Sequence, residues 1–328
     1  MKRQIPKRER GAALLAVLLL VAVTGAIAAS MVEGLRLSRA VAVNATARDQ
    51  GRLFADGVEQ LALLTIDDRI LESPERTTLA GGWNGATRTI QLPGGGSADV
   101  TVRDGGNCFN VNSVVDGQPG RPLVRRASGV GQFMGLMIAL EVPEPDARRI
   151  AEAAADWVDS DAVPGPGGAE DEAYAAGPTP YRTGNTLLAD PGEVRALAGM
   201  TADIYARLRP WLCALPVNDL SPLNINTLSL EQAPLLAMLA PGQITLERAR
   251  RVLARRPSGG WANQVEFWRV EAMSELNVPL DVQVQPQLRT NWFTLDVQVR
   301  LMESEYRENV LVDARLQPSR VVQRRWTE

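Results

Sequence analysis

Histidine is absent from this chain of 328 residues, and cysteine occurs only twice. The first absence removes Ser-His-Asp and Cys-His catalysis and every His-ligated metal site. Two cysteines are too few for a structural zinc site. Neither sign of charge dominates: 35 Lys and Arg face 38 Asp and Glu, a formal net charge of -3. That balance argues against nucleic-acid binding through bulk charge. Proline is missing from Ala12 to Glu72, so nothing in that stretch forces a helix to break. What is present is a 45% hydrophobic composition. It suffices for a real core, and the length suits roughly two domains.

Charge is unevenly placed at the N-terminus. Five basic residues and one acid give residues 1–11 a charge of +4, which leaves -7 for the rest. The 21 residues from Ala12 to Val32 carry no charge. They are long enough to span the ~30 Å hydrocarbon layer as a helix. Basic residues before the run and chain translocated after it fit the positive-inside rule. Three readings of this segment compete. A cleaved signal would use a site such as Ala26-Ile27-Ala28. A plain signal anchor would stay uncut. The third reading rests on Gly11, which stands between the basic leader and the apolar run. Beyond the run, Glu33, Arg36, Arg39, Arg48 and Asp49 alternate with Leu35, Leu37, Val41, Val43, Leu53 and Phe54. Val58, Leu61 and Leu64 then continue an apolar stripe. One helix over 12–66 would be about 80 Å long.

Strand signals lie at both ends of the remaining chain. Thr87–Leu92 and Ala98–Arg103 flank Pro93-Gly94-Gly95-Gly96 and read as a hairpin. Phe293–Leu301 alternates cleanly, and Val310–Leu316 and Val321–Trp326 follow it. Between about 120 and 286 the patterns are helical: Pro145–Val158, Pro191–Gly199, Met200–Leu212, Leu228–Leu239, Leu246–Ala254 and Trp261–Met273. The predicted class is α+β, with an all-α domain inserted into an antiparallel sheet.

Seven acids and no Lys or Arg occur from Ile150 to Tyr181. Asp159 and Asp161 stand at a helix end, and Glu170 and Asp171 return after a Gly/Pro loop. Such convergence would be repulsive without a cation, and hard oxygen donors suit Ca²⁺. The alternatives are a solvated acidic loop and an acidic enzyme dyad. Residues 223–273 resemble helix-hairpin-helix modules, whose turn amides can bind DNA phosphates. Arg248, Arg250, Arg251, Arg255 and Arg256 add positive charge there.

The leader resembles that of type IV pilin-like proteins, which a prepilin peptidase cuts after such a glycine. The whole chain is similar to the K-type minor pseudopilins of type II secretion, the general secretion pathway protein K family. Most pilin-like subunits carry Glu at the fifth mature position. Here that position is Ala16, a departure that marks the K type. A carboxylate in lipid is costly without a partner, so a subunit lacking it can sit at the tip with nothing above.

The resemblance implies a pilin-like fold: leader 1–11, N-terminal helix 12–66 with 12–32 transmembrane, α/β domain 67–119 and 287–328, and inserted α-domain 120–286. It implies cleavage between Gly11 and Ala12, N-methylation of Ala12, and calcium held by Asp159, Asp161, Glu170 and Asp171. It also implies a non-enzymatic role in starting or capping the pseudopilus. The implied partners are I-, J- and H-type minor pseudopilins, the prepilin peptidase, the inner-membrane platform, exported proteins and the secretin. Nucleic acid is not among them. A helix-hairpin-helix competence protein that binds DNA is the alternative, and a secreted calcium-dependent enzyme is a further rival. The expected location is the bacterial inner membrane, single-pass, with the soluble part in the periplasm. An exported domain sees an oxidising compartment, and two is an even count, so Cys108 and Cys213 are expected to form a disulfide. The alternative is two buried small hydrophobes. N-terminal sequencing of protein extracted from membranes is expected to begin at Ala12. A start beyond Ala28 would instead identify a cleaved secretory signal.

Overall fold

The computed structural model describes residues 7–118, 120–177, 179–301 and 304–327. Most of the expected leader, residues 1–6, lies outside them. Helix α1 (Lys7–Glu72) runs unbroken for 66 residues, about 100 Å. It outlasts the expected end at 66 because nothing stops it before Ser73-Pro74, where proline disfavours helical geometry in the preceding residue. From Ala12 to Thr46 every α1 residue is exposed.

Beyond that point α1 buries one stripe: Ala47, Ala55, Val58, Ala62, Ile66 and Ile70. This differs from the stripe read from sequence. Leu61 and Leu64 are 54% and 62% exposed. A three-residue step rotates steadily off one helical face, whereas the observed steps of three and four stay on it. Small residues on the stripe let α1 approach closely. A Cβ added to Gly51 would lie 3.2 Å from the Tyr306 Cβ.

The stripe packs on a five-stranded sheet. Strands β1 (Thr87–Gln91) and β2 (Ser97–Asp104) come before the insertion. The two-residue strands β3 (Phe109–Asn110), β4 (Val115–Asp116), β5 (Val124–Arg125) and β6 (Leu212–Cys213) lie within it. Strands β7 (Trp292–Leu301), β8 (Ser304–Asp313) and β9 (Arg320–Thr327) follow. The large sheet has the order β1-β2-β7-β8-β9 and is antiparallel throughout. Val100 faces Val297 and Asp104 faces Phe293 across the β2–β7 seam. Alternation puts Val100, Phe293, Leu295, Val297, Val299, Val310 and Val312 in one core with the α1 stripe. Leu316, expected at the end of a strand, is instead exposed beyond β8.

Between Gly105 and Asn291 the chain builds a second core around Phe109, Phe133, Leu136, Ile150, Leu208, Leu223, Leu235 and Phe267. Its longer helices are α2 (Ala127–Ala139), α3 (Glu144–Val158) and α7 (Leu246–Ala254), with short α4 (Asp171–Ala175), α5 (Ala202–Leu208), α6 (Ala233–Ala237), α8 (Gln264–Trp268) and α9 (Leu280–Gln283). Helices expected over 200–212, 228–239 and 261–273 shrink to α5, α6 and α8. Pro210 and Pro234 sit in first-turn positions that fix where helical segments begin. The Asn263 side chain accepts the Glu266 N–H and so starts α8 late. Pro191–Ala196 forms only a 3₁₀ segment. Phe109 to Val115, grouped with the sheet in the sequence reading, packs in this second core.

The root of the insertion is held by covalent and polar ties. Cys108 and Cys213 form the disulfide, 105 residues apart in sequence. It sits beside the parallel pairing of β3 and β6. Asn110 donates to the Val217 and Asp219 carbonyls at 2.8 and 3.1 Å. Asn112 donates to those of Leu188 and Leu215 at 2.9 and 2.8 Å. Buried Asn224 donates to the Thr77 carbonyl and the Thr290 hydroxyl at 3.1 and 2.9 Å. These amides supply the partners that buried backbone groups require. Replacing both cysteines by serine removes a constraint worth about 4 kcal/mol in the chain-entropy account. Denaturant unfolding in detergent should show that loss, and an unchanged midpoint would refute it.

Candidate functional site

Helix α3 is rich in alanine and has no proline after its first turn, so it runs straight to Val158. Its C-terminal end carries Asp156, and the next turn carries Asp159. Both are almost fully buried. The loop that follows folds back over them. Gly165 N–H donates to both Asp156 carboxylate oxygens, at 3.0 and 3.1 Å. Gly168 must be glycine here, since a Cβ would lie 1.9 Å from Asp156 Oδ2. The fold-back brings Glu170, at the cap of α4, to the same point.

Asp159, Asp161 and Glu170 each place a carboxylate oxygen within 4.8 Å of the others. Asp159 is 3% exposed and Glu170 6%. Asp159 Oδ1 and Glu170 Oε1 are buried without any hydrogen-bond partner. Leaving a buried carboxylate oxygen unpaired is costly. Burial, followed by repulsion from Asp161, Asp156 and Glu170, pushes the Asp159 carboxyl up to about 7. Burial and Asp156 likewise push Glu170 upward. Asp156 is also raised, mainly by burial, although backbone N–H groups of Gly165 and Ala169 oppose the shift. The donor set is all oxygen, anionic and under-satisfied. It fits a hard divalent cation such as calcium, and it offers no nitrogen or sulfur for a softer metal.

The structure therefore brings together three of the four residues singled out in the sequence. Asp171 is turned away. Its Oδ1 accepts hydrogen bonds from the Thr183 N–H and hydroxyl, both at 2.9 Å. Those bonds hold its carboxyl below the usual range. Glu170 caps α4 and Asp171 is its first residue, and of the two only Glu170 has an oxygen within the cluster. Asp156 is the residue that sequence reasoning missed. The three-residue spacing to Asp159 on one helix face was the available signal. A wall of Trp157, Tyr174 and Tyr181, with ring centroids 5.1–6.0 Å apart, backs the loop.

The helix-hairpin-helix-like stretch proves to be internally committed. Arg256 donates to the Ile225 and Leu228 carbonyls at 3.3 and 2.5 Å. Arg251 pairs with Glu247 at 2.6 Å and Arg255 with Glu271 at 3.5 Å. Asn226 accepts from the Trp261 N–H at 2.6 Å and donates to the Trp261 carbonyl at 3.1 Å. These contacts tie the turn to the neighbouring helical segments. At the other end of the molecule Ala12 and Ala16 lie on the bare, apolar part of α1. Gly11 is within the helical backbone.

A family model described as Type II secretion system (T2SS), protein K matches residues 107–217. A second with the same description matches residues 223–289. The type II secretion system protein K of Pectobacterium carotovorum subsp. carotovorum is 33% identical over 322 residues, covering 97% of each chain. That of Klebsiella pneumoniae is 34% identical over 324 residues, again 97% of each. The crystal structure of the GspK-GspI-GspJ complex from the enterotoxigenic Escherichia coli Type 2 Secretion System contains a chain that superposes with a TM-score of 0.72 at 29% identity. The match covers 85% of this chain and 96% of that one. With its long half-bare helix, its antiparallel sheet and its inserted helical unit, the chain belongs to the type II secretion system protein K family and is a minor pseudopilin of type II secretion.

Proposed function

We propose that this minor pseudopilin works at the tip of the pseudopilus, where it starts or caps assembly as a structural part and not as an enzyme. The observation that carries this reading is α1, an apolar helix that is bare from Ala12 to Thr46 and has Ala16 at the fifth place after Gly11. A prepilin peptidase would cut after Gly11, and Ala12 would be N-methylated. Residues 12–32 then anchor the chain once in the inner membrane, and the body faces the periplasm. In the filament, the same surface would exchange lipid for other pilin-like helices. Without a carboxylate at residue 16, the helix makes no demand for a cationic partner from a subunit overhead. I- and J-type minor pseudopilins are the natural neighbours, because the solved relative is a complex with GspI and GspJ. An H-type subunit would lie below. Assembly on the inner-membrane platform would help move folded proteins toward the secretin. Co-purification tests this reading: the I- and J-type subunits should be retained by the full chain, and failure to retain either would count against it.

We infer that calcium is held by Asp159, Asp161 and Glu170. Its charge would relieve the repulsion among buried carboxylates and tie the 160–170 loop to the end of α3. The sign of the pH effect follows from Asp159. Its carboxyl is raised to about 7 in the fold, against an ordinary value of roughly 3.9 in the unfolded chain. The protonated form is therefore favoured by folding. Without metal, this contribution is complete below about pH 4 and is lost as pH rises through 7. Thermal melts of chelator-treated protein should thus weaken from pH 5 to 8. Added calcium should restore stability most at pH 8, where protons compete least. Asp159→Asn should flatten the metal-free profile and weaken calcium binding by at least about tenfold, measured by titration calorimetry. Equal calcium responses in both proteins would refute the assignment.

A further inference from the structure

A second buried acid lies outside the candidate metal centre, between α1 and the sheet. Glu308 is on β8, opposite Val297 of β7 and Trp326 of β9. Alternation puts it on the same face as Val310 and Val312, under α1. It is only 3% exposed. Its Oε1 has no hydrogen-bond partner. Its Oε2 accepts one long bond from the Tyr306 hydroxyl, at 3.2 Å.

The charges around it do not compensate it. Arg324 of β9 is the near cation, but it is already bidentate to Glu59 of α1, at 2.7 and 2.8 Å. Arg52 of α1 lies over the Trp326 ring, 5.5 Å from its centroid. Asp56 and Glu59 of α1 both add negative charge facing Glu308. The neighbour on β7, Val297, is apolar. An ionised Glu308 would thus be a buried anion beside an ion pair that is already complete, which is unfavourable. Carrying a proton, it is neutral and no longer a buried charge. Burial and then Glu59 push its carboxyl upward, in agreement with this geometry.

The position matters mechanically. Gly51 against Tyr306, Arg52 over Trp326 and Glu59 with Arg324 are the contacts near the point where α1 leaves the body. We propose that Glu308 is a proton-operated latch: holding a proton, it seats residues 51–62 of α1 on the sheet, and releasing that proton to solvent, it loosens them. The angle at which the bare part of α1 departs from the body would then depend on pH. This inference rests on the α1–sheet contact alone and is independent of the calcium assignment.

The test uses the full chain in detergent micelles in an Asp159→Asn background, which removes the titration of that residue whether or not calcium binds there. Hydrogen exchange, corrected for intrinsic rates, is followed in peptides from 47–62 between pH 5 and 9. With Glu308 intact, protection should fall with rising pH by up to about tenfold per pH unit while the seated form keeps its proton, and level off once that form has ionised. Peptides from α2 and α3 should not follow. In Glu308→Gln, protection of 47–62 should be independent of pH and close to the acid level seen with Glu308 intact. A flat profile with Glu308 intact, matching profiles in the two proteins, or equal loosening of α2 and α3 would each overturn the proposal.

Discussion

The seam between β2 and β7 is the constraint on which the rest of the molecule depends. These two strands are hydrogen-bonded neighbours in the middle of one sheet, yet an entire helical unit is inserted between them. Bringing the two ends of so long an excursion together costs chain entropy before any strand pairing offsets it. The fold meets that cost at the root. A disulfide, a short parallel pairing and a set of buried asparagine side chains close the insertion where it leaves and rejoins the sheet. With that root closed, β2 and β7 lie in register, and the registered sheet offers α1 a continuous apolar face.

Much of this was legible in the sequence, and the parts that were not have identifiable causes. The period-two pattern of Phe293 to Leu301 marked β7 because one sheet face is apolar and the other wet. The charge-free stretch after Gly11 marked the bare half of α1. Of its expected stripe Val58 is buried, but Leu61 and Leu64, which look like core residues, are exposed, and the small Ala55 and Ala62 are buried beside Ile66 and Ile70. Helix α2 escaped notice because it contains Gly129, Gly131 and Gly135, poor helix formers. The structure explains two of them. A Cβ at Gly129 would lie 1.9 Å from the Ser113 carbonyl oxygen, and one at Gly135 would lie 2.6 Å from Pro241 Cγ. At the candidate metal centre, spacing and the family resemblance pointed to Asp159, Asp161, Glu170 and Asp171. They could not tell Glu170 from Asp171, since the start of α4 falls between these two adjacent acids.

Both acidic clusters illustrate one physical theme. Buried carboxylates are placed where the protein itself provides too few donors, so the folded state carries repulsion that an outside charge can relieve. Around Asp159 the site is open to a hard cation, since Asp161 reaches solvent. Around Glu308 the carboxylate is buried beneath α1, with one oxygen unpartnered. The aromatic wall of Trp157, Tyr174 and Tyr181 and the Arg52–Trp326 pair pack the surroundings of each cluster.

The helical unit has both its attachments on adjoining central strands, at Asp104 and Phe293. A thrust delivered to that unit would therefore enter the sheet through two strands pushed in the same direction. The β2–β7 hydrogen bonds would not slide against each other. The load would spread as shear into β1 and β8 on either side and from there into α1. Had the unit hung from an outer strand, the same thrust would have peeled the sheet open one bond at a time.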